Sequence, residues 1–319
     1  MNNIKKIQSY LETQILGQES LVERLLIALL SDGHILVEGA PGLAKTRAVR
    51  ALSQVIEGAF HRIQFTADLL PADITGTDIF RPQDASFVFQ QGPVFNNFLL
   101  ADEINRAPAK VQAALLEAMG ERQITVGNKT MELPSPFLVM ATQNPIEQEG
   151  TYPLPEAQLD RFLIHVIVDF PHYSAEKKIL TLSRLEANSS QKTAHPVETL
   201  LTQFELKQIR DEVLNIYMAE DVEDYLVALI QATRTPEKYS KQLDEWIEFG
   251  ASPRATIGLD RAARARAYLQ GRDYVTPEDL QNLLPDILRH RLILKYQAEA
   301  TGVTTGDAIT EIIKLVPAP

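Results

Sequence analysis

The chain contains no cysteine, which removes disulfides, thiolate nucleophiles and zinc knuckles from its possible chemistry. It also lacks any basic excess. Lys and Arg number 31 against 42 Asp and Glu, and the net charge of −11 argues against broad electrostatic capture of nucleic acid, leaving a local basic loop as the only route. No apolar run approaches the roughly 18 residues that a membrane-spanning helix needs. Met1 to Lys6 continues into a polar amphipathic pattern with no secretory hydrophobic segment, so the expected location is cytoplasmic. At 319 residues, 45% of them hydrophobic, the chain is long enough to bury a large core and to divide into two domains.

The stretch that organises the rest is Gly39-Ala40-Pro41-Gly42-Leu43-Ala44-Lys45-Thr46. It follows the apolar run His34–Glu38 and precedes an amphipathic stretch from Arg47 to Ile56, giving the strand, tight loop and helix that a phosphate-binding loop requires. Glycines let successive N–H groups converge on an anion, and the helix start adds its positive dipole end. Lys45 is expected to reach the β- and γ-phosphates of a nucleotide and the Thr46 hydroxyl to ligate Mg²⁺. The general pattern has Gly where this chain has Ala44, which is tolerable if Ala44 has a negative φ at the helix start.

Periodicity supplies the frame around this loop. Helices are expected over 4–13 and 20–30, then strands at 34–38, 61–65, 98–103, 137–142 and 163–168. Residues 66–93 read as an irregular insertion containing the strand-like Ser86–Gln90, and Gln123–Leu133 as a hairpin turning at Gly127-Asn128. Helices are expected at 109–119 and, briefly, at 156–162. Apolar strands alternating with helices imply a parallel sheet covered on both faces. Beyond Pro171 the texture becomes helical, over 175–185, 205–213, 220–232, 254–269 and 277–289, with a polar linker at Ala187–Thr193. Thr276-Pro277 is a helix start, with Thr as cap and Pro in the first turn. The expected division is an α/β domain at 1–170 and an all-helical domain at 171–319. The last thirty residues carry no assignable motif.

Asp102-Glu103 closes the apolar run Phe98–Ala101, and ligands of a parallel sheet sit beyond the carboxyl ends of its strands. Asp102 is expected to hold Mg²⁺ through water and Glu103 to orient and activate the attacking water. Asn144 ends the next strand in the same way, where its amide can meet the γ-phosphate and the nucleophile. Phosphoryl transfer also calls for cations on the equatorial oxygens. Arg161, near the last strand, and Arg254, at a helix start capped by Ser252, are the candidates, with Arg106 competing as a cation offered to a neighbour. Ile15 to Gln18, including Gly17 and Gln18, are candidates for the adenine pocket or else form a plain inter-helix turn.

Taken with Ala101–Pro108, Leu115–Met119, Ala141–Pro145 and Glu147–Gln158, the loop at 39–46 makes the chain resemble the MoxR family of AAA+ ATPases over nearly its whole length. Ala44 is usual in that family. The resemblance implies an AAA+ P-loop NTPase core, a five-stranded parallel sheet between helices, followed by a helical lid. It implies Walker A at 39–46, Walker B at Asp102 and Glu103, sensor 1 at Asn144, an arginine finger at Arg161 and sensor 2 at Arg254. The segment around Ser86–Gln90 resembles the helix-2 insert, and Gln123–Leu133 the pre-sensor-1 hairpin. ATP and Mg²⁺ are the implied cofactors. A hexameric ring, protein clients and a partner with a von Willebrand factor A domain are the implied company.

The expected activity is therefore ATP-driven remodelling of protein complexes. A DNA-acting AAA+ motor is the rival from another class, with Lys129 at the hairpin tip as its only basic foothold, too little for counterion release. A magnesium-chelatase-like ATPase subunit uses the same parts. A scaffold that binds nucleotide without hydrolysis is opposed by the intact Asp102-Glu103 pair.

Overall fold

In the computed structural model, residues 2–83, 85–127, 129–145, 150–189 and 198–319 are described. Helices α1 (Asn2–Gln14) and α2 (Glu19–Leu30) lead into strand β1 (Ile35–Gly39) and helix α3 (Lys45–Val55). Strand β2 (Phe60–Gln64) is followed by α4 (Pro71–Thr75) and by the antiparallel hairpin β3 (Gly76–Arg81) and β4 (Ser86–Gln91). Strand β5 (Phe98–Asp102), helix α5 (Ala109–Glu121), the hairpin β6 (Gln123–Val126) and β7 (Lys129–Glu132), β8 (Leu138–Gln143), α6 (Glu156–Leu159) and β9 (Ile164–Val168) complete the α/β part.

Five strands make one parallel sheet in the order β2-β5-β8-β1-β9. Strand alternation decides what each face buries. Ile35, Val37, Leu100, Met140 and Ile164 point to the face covered by α1, α2 and α3, whereas Leu36, Leu99 and Val139 join α5 through Leu115 and Met119 on the other. With both faces covered, the strands read as continuous apolar runs, which is why the sequence exposes them so clearly. In α1 the stripe Ile4, Ile7 and Leu11 is fully buried at helical spacing.

The rest of the described chain is mainly helical: α7 (Tyr173–Ser189), α8 (Gln203–Leu214), α9 (Glu220–Arg234), α10 (Lys241–Trp246), α11 (Pro253–Leu269), α12 (Pro277–Leu288), α13 (Tyr296–Ala300) and α14 (Thr305–Leu315). Thr202, Ser252 and Thr304 cap α8, α11 and α14 through their hydroxyl groups. The core of the sheet's first face continues without a break into Leu229, Leu259 and Leu284 of α9, α11 and α12.

Several expectations change. The insertion at 66–93 contains a helical turn and a hairpin of two six-residue strands rather than one isolated strand. The helical part also carries a two-stranded ribbon, β10 (Ile247–Phe249) against β11 (Ile293–Leu294), too short to leave a periodic signal. The last thirty residues are organised by that ribbon, α13 and α14. Helix α7 runs to Ser189, through the start of the expected linker, while linker residues 190–193, hairpin residue Asn128 and motif residues 147–149 lie outside the described residues.

Candidate functional site

The turn between β1 and α3 is built from two left-handed residues. Gly42 has φ +85° with open space where a Cβ would point, and Ala44 has φ +58°, contrary to the negative φ expected for it. That is the reason a general loop of this kind favours Gly before its Lys. An L-residue held in this region costs about 1 kcal/mol or more, strain typical of ligand-binding turns. Left-handed residues of this kind turn successive N–H groups toward one concavity, suited to an anion.

Lys45 opens α3 with its side chain folded into the loop, where Nζ donates to the Gly39 carbonyl at 2.6 Å and lies 3.5 Å from that of Gln143. Burial pushes the ammonium's pKa down, opposed by the carboxylates of Asp102, Glu103 and Glu38. Such a partly desolvated cation gains most from an arriving phosphate. Thr46 is half-buried one residue further on.

Strand register brings the acids to the same edge. Gln143 is level with Glu38, and Ala141 with Ala101, so Asn144 follows β8 beside the loop and Asp102 ends β5 one strand beyond. Asn144 and Asp102 are both buried. Asp102 Oδ1 accepts from the Thr142 hydroxyl at 2.6 Å, and Oδ2 from Arg62 Nη2 at 2.6 Å. Glu103 has φ +56°, its N–H donates to Thr142 Oγ1 at 2.9 Å, and its carboxylate accepts from Gln64 Nε2 at 2.7 Å and pairs with Arg106 Nε at 3.1 Å. Arg62, Gln64 and Thr142 escape sequence reading because their importance depends on strand adjacency; the polar residues near the ends of apolar strands are the only trace.

The Thr46 hydroxyl and the Asp102 carboxylate offer a cation oxygen donors, which suit a small hard ion such as Mg²⁺. Beside the loop a cavity of about 280 Å³ is lined by Leu16, Gln18, Leu43, Ile179 and Leu182. Gly17, between the lining residues Leu16 and Gln18, has φ +75°, and a Cβ there would lie 2.5 Å from that of Ala175 in α7. Gln18 Nε2 donates to the Asp169 carbonyl at 2.9 Å, fixing this turn to the end of β9. Gly17 and Gln18 thus stand with Lys45, Thr46, Asp102, Glu103 and Asn144 at one edge of the sheet.

Arg161 and Arg254 do not. Arg161 precedes β9, at the sheet's other edge, where Nη1 donates to the Leu116 carbonyl at 2.6 Å. Arg254 begins α11, and its Nη1 lies 3.6 Å from Asp160 Oδ2. Both line a second cavity of about 300 Å³, with Gly33 and His34 at the start of β1. The five residues of β1 separate that cavity from the loop by roughly 16 Å, beyond the reach of an arginine side chain. Arg106 sits on the loop's own edge, tied to Glu103.

Residues 34–164 match the profile described as the ATPase family associated with various cellular activities (AAA), and residues 242–312 match an AAA lid domain. The chain is 48% identical to Chaperone MoxR1 of Mycobacterium tuberculosis, covering 96% of this chain and 79% of that protein. It is 31% identical to Protein MoxR of Methylorubrum extorquens, over 96% of this chain and 92% of that one. A crystal structure from Cytophaga hutchinsonii, 44% identical, superposes with a TM-score of 0.90 over 100% of this chain and 95% of the other.

Proposed function

We propose, because the chain belongs to the MoxR family of AAA+ ATPases, that it hydrolyses ATP in head-to-tail rings and uses the energy to remodel protein complexes. The observation that carries this reading is the placement of the 39–44 turn, Lys45, Thr46, Asp102, Glu103 and Asn144 at one edge of the sheet, with Arg161 and Arg254 at the other.

The backbone of Gly39–Ala44 cradles the phosphates, and Lys45 leaves the Gly39 carbonyl to meet the β- and γ-oxygens. Thr46 and Asp102 would hold Mg²⁺, which would supply charge neutralisation at the phosphates. For Asp102 this requires giving up Arg62, its resting partner. Glu103 orients the attacking water and draws its proton once released from Gln64 and Arg106, while Asn144 holds water and γ-phosphate in line. The adenine base occupies the cavity beside Leu16, Gly17 and Gln18.

Arg161 and Arg254 are too far from their own loop to act there, so a neighbour's γ-phosphate is their target. A contact between opposite edges is heterologous and closes as a ring, here of six. An arginine supplied in trans contributes about 10³-fold or more to turnover. The boundary between core and lid falls near residue 170. A von Willebrand factor A domain partner, protein clients and a cytoplasmic setting follow from the family resemblance, and the chaperone role from the name of its relative. No helix among the described residues is long and apolar enough to cross a membrane.

The test is phosphate release with Mg²⁺ and ATP, alongside ring mass. Arg161→Ala should keep ATP affinity and lose turnover, and mixing it with Lys45→Ala should restore activity, since each supplies what the other lacks. Mixed rings without any rescue would overturn the reading and shift attention to Arg106.

A further inference from the structure

The segment that carries Arg161 is held by the helical part of the chain rather than by the sheet alone. Arg291, just past α12, is buried, with its side chain only 3% exposed. Its Nε donates to Asp160 Oδ1 at 2.7 Å and its Nη2 to the Phe162 carbonyl at 2.6 Å. Nη2 and Nη1 reach the carbonyls of Asp160 and Leu163 at 3.3 and 3.2 Å. One guanidinium therefore grips the backbone on both sides of Arg161 and leaves that side chain untouched.

The other oxygen of Asp160 faces the start of α11. Asp160 Oδ2 accepts from the Ser252 hydroxyl at 2.9 Å, and Ser252 Oγ in turn accepts from the Arg254 N–H at 3.2 Å. Asp160 is thus the joint between Arg291, the cap of α11 and the Arg254 guanidinium. Neighbouring residues repeat the attachment: His290 Nε2 meets the Phe162 carbonyl at 3.0 Å and Arg289 Nη1 donates to the His165 carbonyl at 2.6 Å.

Arg161 and Arg254 carry like charge into one cavity, so they converge only where something fixes their backbones. The fork geometry of an arginine does this where a lysine cannot, because several donors lie in one rigid plane. We propose that Arg291, through Asp160, is the positioning residue that couples the 160–163 segment to the start of α11, so that Arg161 and Arg254 are offered to a neighbour's nucleotide as one unit. This rests on the trans reading of those two arginines. It gives the segment beyond α12 a task, transmitting lid movement to the finger.

Arg291→Lys tests it, since lysine keeps the charge on Asp160 and loses the bonds to Phe162 and Leu163. The expected result is ATP affinity within twofold of the parent, turnover at saturating ATP reduced at least tenfold, and recovery in rings mixed with Lys45→Ala. A residue needed only for folding would lose ATP affinity as well and show no recovery. Asp160→Asn attacks the same joint from the other side and decides the matter if Arg291→Lys does not fold. Normal turnover in the folded variants would overturn the proposal. So would losses that Lys45→Ala fails to rescue while Arg161→Ala is rescued in the same assay. Failure to rescue Arg161→Ala itself would instead remove the trans reading, and this inference with it.

Discussion

Arg62 on β2 holds Asp102 at the end of β5, with Nη2 2.6 Å from Oδ2 and Nε at 3.1 Å. The pair spans two adjacent parallel strands and occupies a carboxylate that a divalent cation would need. A cation arriving at Asp102 has to displace a guanidinium and approach its charge.

Removing that competitor should ease cation entry. In Arg62→Gln the Mg²⁺ concentration for half-maximal ATP turnover is expected to fall several-fold, with turnover at saturating Mg²⁺ within a few-fold of the parent. A magnesium titration of phosphate release decides it. A raised requirement would mean that Arg62 orients Asp102 for the ion rather than guarding it.

Lys45 and Glu103 should separate binding from chemistry. Lys45→Ala removes a charge-assisted contact contributing ~2 kcal/mol, so ATP affinity should fall by about tenfold or more. Glu103→Gln keeps the loop, Thr46 and Asp102 intact and removes the base, lowering turnover about 10²-fold while ATP stays bound. Binding titrations beside a phosphate-release assay test the division of labour, and equal loss of ATP binding in both variants would refute it.

The loop at 39–46 is legible in the sequence because its chemistry is contiguous, and Asp102-Glu103 because buried parallel strands end abruptly on charge. What stays hidden depends on adjacency. Thr142 bonds Asp102 because β8 lies beside β5, and Arg291 grips Asp160 from 131 residues away. No local pattern encodes either. Ala44 marks a further limit. A residue's identity suggests its preferred φ, but here loop closure overrides preference and leaves Ala left-handed. In the hairpin β3–β4, Phe80 and Phe87 meet as a tilted pair, ring centroids 5.2 Å apart, on an exposed surface, so no buried face produces the usual alternation.

Acid should destabilise the fold through buried histidine. His34 is neutral in the folded chain, accepting at Nδ1 from the Val139 N–H at 3.1 Å, with Nε2 3.3 Å from the Met119 carbonyl. Burial, aided by the charges of Arg122 and Arg210 and opposed by the Met119 bond, lowers its pKa to about 3. Burial also holds His290 well below its usual value. The unfolded chain binds these protons first, so stability present above about pH 6.5 is lost as pH falls toward the folded values, at about 1.4 kcal/mol per pH unit for each proton. Chemical denaturation at pH 7, 6 and 5 should show this slope, reduced by close to one proton in His34→Asn. An unchanged slope would exclude His34 as the source.

Gly17 offers the most direct test of the base pocket. It turns the chain between α1 and α2 with φ +75°, and a Cβ there would meet Ala175 at 2.5 Å and Pro171 at 3.5 Å. Gly17→Ala therefore carries a left-handed penalty of about 1 kcal/mol and presses α7 away from the turn. Because α7 contributes Ile179 and Leu182 to the cavity that Leu16 and Gln18 close from the other side, that pressure should open the pocket. The base is common to ATP and ADP, so both should lose affinity by the same factor, at least fivefold. A variant at Lys45, which meets the terminal phosphates, should weaken ATP more than ADP. Titrating both nucleotides on both variants distinguishes the two patterns. Unchanged ADP affinity in Gly17→Ala, with a lowered melting temperature showing that the clash is felt, would mean that the base binds elsewhere.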